Sequence, residues 1–403
     1  MKAGWRAATL DEVCDEITDG SHFSPKTTEE GFPYVTVRDL DNDQIDFDNC
    51  RFVSKAAFKQ LLANGCKPNK GDVLFSKDGT VGKVALVDYD MDFVVLSSLA
   101  IIRPDKKLVD SAFLKYVLKS PAFLEEAVGK KTGVALRRII LRNLKSITIP
   151  IPPLPEQQRI VGVLDEAFEG IATAKANAET NLQNARALFE SHLQSVFSRR
   201  GAGWVNRKLG EMCERITKGS SPKWQGIAYV DEPGILFVTS ENVGEYQILI
   251  EHPKYVEEKF NTKDKKSILQ KGDVLSNIVG ASIGRTAVFD RTDVANINQA
   301  VCLLRCEPDQ LNNFFLTYLL NSPVFKQVLH DNEVDNARAN LSLGFFSQLL
   351  VPTPPLSEQG KIVTALDSLR EEAQRLESIY QQKLSALDAL KESLLHQAFT
   401  GNL

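Results

Sequence analysis

Between residues 128 and 155 the chain carries Lys130, Lys131, Arg137, Arg138, Arg142 and Lys145, and no acidic side chain. Ammonium and guanidinium groups in such a run are donors for charge-assisted hydrogen bonds to phosphate oxygens. Gly129 and Gly133 give the backbone freedom to follow a groove. The plainer reading of a basic run is a solvated face, but here the counter-charge is missing. It is missing in a chain whose net charge is −4, so a globally basic nucleic-acid binder is excluded and any phosphate affinity must be local. A second segment, residues 330–344, is not basic and offers Arg338 and Asn340. Arg suits the edge of guanine and Asn the edge of adenine in a major groove.

Other donors sit in loops. In the first half these are Ser21, His22, Lys26, Arg38, Lys77 and Lys83. In the second half they are Lys218, Ser220, Lys223, Trp224, Ser240, Asn242, Asn277, Arg285, Asn298 and Gln299. Each could equally serve a turn or a surface contact, and Ser220, Ser221 and Pro222 are ordinary turn residues. The motifs of catalysis are missing: no GxxxxGK[ST], no GxGxxG after a strand, no HExxH and no Cys/His metal spacing. No Asn/Asp-Pro-Pro-aromatic string is present to hold a flipped adenine. Catalysis and metal binding within this chain are therefore not expected.

The elements that must position these residues come in two copies. Residues 151–197 open on Pro152, Pro153 and Pro155, with Glu156 in what should be a helix's first turn. Apolar or small residues then recur at Ile160, Leu164, Ala167, Ile171, Ala174, Ala178, Ala185 and Leu188, interrupted by Asn181. Steps of three and four make a heptad seam, the mark of a helix packed lengthwise on another. The stretch returns at 352–399, with Glu358, Ile362, Asp367 and Phe399 each 202 residues beyond Glu156, Ile160, Asp165 and Phe197. Its seam is Ile362, Leu366, Leu369, Ala373, Leu376, Tyr380, Leu387, Leu390 and Leu394, interrupted by Lys383. Each helix would be about 60 Å long at its rise per residue, and the partner available to each seam is the other.

The preceding globular stretches repeat as well: residues 4–21 match 203–220, 70–87 match 271–289, and 113–123 match 315–325. The first copy reads as strands near 34–37, 72–75, 83–87 and 93–102, with helices at 54–63 and 111–119. The expected fold class is α+β: two mixed α/β domains and two long helices forming an antiparallel coiled coil, in a pseudo-two-fold tandem repeat. The expected divisions are 1–153, 154–201, 202–355 and 356–403, with the chain termini close together. Apolar residues make up 43% and charged residues 25% of the chain, ordinary for a soluble protein. Six cysteines lie scattered without a CxxC, and Cys302 and Cys306 read as strand packing. With no apolar leader and no run of eighteen apolar residues, a cytoplasmic protein that meets no membrane is expected.

The strings IPIPPLPEQQRIV (149–161) and LVPTPPLSEQGKIV (350–363), each opening a long helix, carry a resemblance over the whole chain. The sequence resembles the specificity subunits of type I restriction–modification enzymes. The resemblance implies two target-recognition domains, each reading one half of a bipartite site in double-stranded DNA, with the helices setting the gap. It implies two methyltransferase (modification) subunits docked on the helices, which methylate adenine N6 with S-adenosylmethionine. Restriction subunits that translocate DNA with ATP and Mg are further partners, and no cofactor is implied for this chain itself. Apolar residues outside the seams, Leu182, Phe189, Leu193 and Val196 with Ile379, Leu384 and Leu395, are available for partners or for the chain's own globules. The first copy has LSSL (96–99) where the second has NINQ (296–299), so Asn298 and Gln299 are expected as contacts in the second domain alone. Two other readings stand beside this one: a coiled-coil scaffold joining proteins without reading DNA, and a stand-alone methyltransferase or nuclease.

Overall fold

A strand with four successive apolar residues has to be covered on both faces, and each half of the chain builds around one such strand, opening Leu99–Ile102 in the first and Val301–Leu304 in the second. The computed structural model describes residues 2, 4–129, 138–201, 203–231, 234–334 and 339–403. It divides into two units, Met1–Glu179 with Gln382–Leu403, and Thr180–Gln381.

In the first unit the central strand Leu99–Pro104 lies between Cys14–Asp19 and Val73–Ser76, and Val84–Leu86 closes the antiparallel sheet. One face of this sheet packs on the helix Ser111–Lys119, through Phe113, Leu114 and Val117. The other face meets a small second sheet through Leu74, Leu99 and Ile101. That small sheet runs Val94–Val95, Phe32–Val35, Arg51–Val53, Thr27–Thr28. The second unit repeats both sheets strand for strand. Its main sheet is Cys213–Lys218, Val301–Cys306, Val274–Asn277, Thr286–Val288, and its small sheet Ala295–Ile297, Ile235–Val238, Tyr255–Val256, Tyr229–Val230. Cys302 is fully buried in its strand. The stretch expected as one strand at 93–102 is two, because Leu96–Ser98 turns and the Leu99 amide donates to the Leu96 carbonyl at 2.9 Å.

Each main sheet is locked by an ion pair on a buried aspartate, with the arginine half-buried in the first sheet and buried in the second. Arg103 meets Asp72 in a fork, Nε to Oδ1 at 3.1 Å and Nη2 to Oδ2 at 3.0 Å. Arg305 meets Asp273 the same way, at 2.7 and 2.8 Å. The planar guanidinium satisfies both carboxylate oxygens at once, which an ammonium could not.

The long helices span Leu154–Ser198 and Leu356–Thr400. Prolines at their entries cost nothing, since the first-turn amides lack an intrahelical acceptor. Within the first unit the two helices run antiparallel: Ile160 and Leu164 share a core with Leu395 and Ala398, and Lys175 Nζ meets Asp388 Oδ1 at 2.7 Å. Within the second unit Leu193 and Phe197 share a core with Val363 and Leu366, and Arg186 Nε meets Glu377 Oε2 at 2.9 Å. The chain ends also meet as expected: Lys2 donates to Glu156 at 3.3 Å, and a Cβ on Gly401 would stand 2.8 Å from that of Lys2.

The seam holds at Ile160, Leu164, Ile171, Ala178 and Ala185 and at Leu366 and Ala373, all buried. Ile362, Leu369, Leu376 and Leu387 are half-buried. It does not run through Leu188 or Leu390, which are 57% and 46% exposed. An α-helix drifts about 20° per heptad against a strict seven-residue repeat. Late in the first helix the buried face has therefore passed to Phe189, Leu193 and Phe197, spaced by four. Asn181 and Lys383 are exposed as well, so neither is a buried polar residue fixing register.

Each helix is fastened to its globule by a glutamine in its first turns. Gln157 is fully buried; its Oε1 accepts from the Asp110 amide at 2.9 Å, and its Nε2 donates to the carbonyls of Leu108 at 2.9 Å and Pro152 at 2.8 Å. Gln359 repeats the set with the Asn312 amide and the Gln310 and Pro354 carbonyls, at 2.8, 3.1 and 3.0 Å. Two turns on, the Tyr116 hydroxyl donates to Asp165, and the Tyr318 hydroxyl donates to Asp367. Burial, with the neighbouring carboxylate second, pushes both phenols well above their ordinary range, so they stay protonated donors.

Gln157→Ala strands one amide and two carbonyls. It should lower stability by about 1–3 kcal/mol, read from urea denaturation. Exchange of the Asp110 amide should accelerate, as that of Asn312 should in Gln359→Ala. An unchanged amide would remove the clamp's role.

Candidate nucleic-acid interface

In each unit four loops meet at one end of the main sheet, and most of the donors singled out above lie there. In the first unit the Ser21 amide donates to Val95, the Ser97 amide to Ser21, the Lys77 amide to Ser98, and the Ile139 amide to Lys77, all between 2.9 and 3.0 Å. Asp78 and Arg138 form an isolated antiparallel bridge. The second unit matches it: Gly219 donates to Asn298, Ile278 to Ala300 and Leu341 to Ile278, and Val279 bridges Asn340. The turn into this rim must be glycine. A Cβ on Gly20 would lie 2.1 Å from the Val95 carbonyl oxygen, and one on Gly219 1.7 Å from that of Ile297.

Several expected contacts are used to build the rim. Lys77 is buried, with Nζ 3.1 Å from Asp19 Oδ2 and 3.7 Å from Asp78 Oδ2. Lys83 Nζ donates to the Leu40 carbonyl at 2.5 Å and to that of Val37 at 3.4 Å, tying down the neighbouring loop. The Ser21 hydroxyl turns back to the Phe23 carbonyl at 2.6 Å. In the second unit Asn277 is fully buried and donates to the Ser240 and Val243 carbonyls and the Ser282 hydroxyl. Ser240, half-buried, thus contributes its carbonyl to the rim. Asn242 accepts from Thr239 and donates to Leu249, and Asn298 accepts from the Ala300 amide. Asn340 donates to the Val334 carbonyl, and Ser220 donates to Asp264 at 2.5 Å while accepting from Gln225. Short polar side chains satisfy backbone groups in turns as readily as they face a ligand. For these residues the local role is the one the geometry shows.

Outward-facing residues remain. In the first unit His22, Lys26, Arg38 and Arg138 are exposed, His22 with its Nε2 3.2 Å from Asp19. In the second, Lys218, Lys223 and Arg285 are exposed, and Trp224 is 81% exposed. Gln299 is half-buried, with a buried Oε1 that has no hydrogen-bond partner. Lys130, Lys131, Arg137 and Arg338 lie outside the described residues. The sequence reading missed Phe23 and Tyr229, 65% and 56% exposed near the same loops. The signal for Phe23 was an aromatic ring inside a polar turn, whereas Tyr229 lies in the short strand Tyr229–Val230 and carried none. The two rims also differ in charge: Asp19 and Lys77 pair in the first, where the second has Lys218 and Ile278.

Among the described residues no group of three or more His, Cys, Asp or Glu side chains could hold a metal, and no helix is long and apolar enough to cross a membrane. Two residue blocks, 2–182 and 202–384, match the family described as the type I restriction modification DNA specificity domain. The chain belongs to this family. It is a type I restriction enzyme specificity subunit, with two tandem recognition domains. Among its relatives, the EcoBI specificity subunit of Escherichia coli is 22% identical over 99% of this chain and 86% of its own length. The StySPI specificity subunit of Salmonella potsdam is 22% identical, over 100% of this chain and 90% of its own. A chain solved in work on complex assembly and conformational transition of the type I R-M system shares the fold. Its TM-score is 0.79 at 22% identity, covering 100% of this chain and 99% of that one. The HsdS subunit of Thermoanaerobacter tengcongensis aligns with a TM-score of 0.62 at 22% identity, over 100% and 98%.

Within this specificity subunit, Lys77→Met should leave the Asp19 carboxylate buried without its main partner. It should lower stability by about 3 kcal/mol, while Lys26→Ala on the exposed face should stay within about 0.5 kcal/mol of the native chain. Urea denaturation of both variants decides it; equal midpoints would count against a structural Lys77.

Proposed function

We propose that each recognition domain reads one half of an asymmetric bipartite site in double-stranded DNA through its loop rim, and that the chain itself catalyses nothing. One observation carries the reading: the same loop scaffold occurs in both units, yet its outward side chains differ. His22, Lys26, Arg38 and Arg138 are exposed in one unit, and Lys218, Lys223, Trp224 and Arg285 in the other. A shared scaffold with different outward donors is what two different half-sites require. The gap between the half-sites is set by the length of the helix pair.

Two modification subunits dock on the helices and supply adenine-N6 methylation with S-adenosylmethionine. Restriction subunits, where they join, bring ATP and Mg chemistry. The docking reading is supported by Leu188 and Leu390, repeat equivalents that are both exposed. Such paired apolar positions suit a partner that binds twice. A protein scaffold without DNA reading leaves the rim asymmetry without a purpose.

Arg285 makes no ion pair or side-chain hydrogen bond among the described residues. Arg285→Ala should therefore weaken DNA binding and reduce the slope of log affinity against log salt by about 1 if the guanidinium meets a phosphate. An unchanged slope with unchanged affinity would take Arg285 out of the interface. For the whole reading, co-expression with the modification subunit and genome-wide mapping of methylated adenines should give a two-part motif. Exchange of residues 1–150 should alter one part and exchange of 202–350 the other, while an added helical turn in both helices should lengthen the gap. A single-part motif, or none, would sink the proposal. Leu188→Asp with Leu390→Asp should cost at least about tenfold in modification-subunit affinity, measured by titration calorimetry, with little change in stability.

A further inference from the structure

The contacts between the long helices are not alike on the two sides. In the first unit Lys175 of the first helix pairs with Asp388 of the second. In the second unit Arg186 of the first helix pairs with Glu377 of the second. In the repeat Lys175 corresponds to Glu377 and Arg186 to Asp388, 202 residues apart in each case. Both cations therefore stand on the first helix and both anions on the second.

The aromatic contacts follow a similar division. Lys391 of the second helix lies over the Phe168 ring of the first, 5.2 Å from its centroid. Arg370 of the second helix lies over Tyr246 at 5.2 Å and Tyr318 at 5.8 Å, the two rings that Phe189 of the first helix also meets. Phe168 corresponds to Arg370, and Phe189 to Lys391. The first helix supplies rings at positions where the second supplies cations.

We infer that the helix-pairing surface of each half of this chain is built to accept the other half and to reject a second copy of itself. A first helix laid antiparallel on another in the same register would set Lys175 against Arg186, twice. A second helix on another would set Glu377 against Asp388, twice, and bring Arg370 toward Lys391. The ion pairs are too exposed to add much stability. Their effect is on choice of partner, because like charges at such positions cost about as much as unlike charges gain. Re-pairing two mixed pairs into one of each self-pair turns four attractive contacts into four repulsive ones, a shift of roughly a hundredfold in the exchange equilibrium. A duplicated chain needs such a device, since its two seams descend from one pattern.

The test uses the full chain with a protease recognition sequence inserted after Arg200. The folded protein is cleaved, mixed at low salt with a cleaved nitrogen-15-labelled copy, and held in the lowest urea concentration at which light–heavy mixed pairs form. Those pairs show that exchange has occurred. Native mass spectrometry then counts mixed pairs against pairs of two first halves or two second halves. The native chain should keep self-pairs below roughly a tenth of the population. A second protein, Arg186→Glu with Glu377→Lys, keeps both ion pairs in the mixed arrangement but gives each helix one charge of each sign. Its self-pairs should rise severalfold. Raising the salt to about 1 M should weaken the native preference, because exposed charges are then screened. Statistical re-pairing by the native chain overturns the inference, and so does a charge-exchanged variant with native proportions.

Discussion

The long helices expose an apolar stripe that no globule is large enough to cover along its length, and antiparallel contact buries it. This is the constraint on which the rest of the structure depends. In the first unit Ile160 and Leu164 are covered in part by Leu395 and Ala398 from the other end of the chain. The core of the first unit is therefore complete only when the last turns of the chain are in place. Contacts of such sequence separation fold slowly, because a long loop must close before they form. The second unit is contiguous, Thr180–Gln381, and waits for nothing beyond its own residues.

The polar groups that tie the main sheets and the long helices down are bonded at both ends. Each Arg–Asp fork closes both carboxylate oxygens, and each clamp glutamine uses both ends of its amide. A buried charge or amide left half-bonded would cost more than its contacts return. That is why these sets occur whole, and in duplicate, at equivalent positions of the two units. At the rims, by contrast, the copies part company: a buried Asp19–Lys77 pair in one has no counterpart in the other.

Much of the architecture was legible from the repeat alone. The offset grows from 199 residues at the first matched block to 202 at residues 113–123 and then stays constant through the long helices, and the steps of three and four placed Ile160, Leu164, Ile171 and Leu366 on the buried face. The heptad count failed at Leu188 and Leu390, because a straight helix drifts out of phase with its repeat and the globules claim the next face. The rim was harder to read. Asn242, Asn277, Asn298 and Asn340 look like base-reading amides, but an asparagine serves a turn with the same two atoms. Lys77 has the charge and loop position of a phosphate contact, but burial against Asp19 uses that charge inside the unit. Nothing local marks Gln157, because a glutamine near a helix start is usually solvated. Its reappearance as Gln359 in the shared EQ string was the available signal.

The glutamine clamps have a property that the apolar contacts lack. All the atoms that Gln157 and Gln359 hold belong to the main chain: Leu108, Asp110 and Pro152 in one case, Gln310, Asn312 and Pro354 in the other. A fitting that grips only peptide groups is indifferent to the side chains around it. The side chains of either rim can therefore change while each glutamine goes on gripping the same three main-chain atoms.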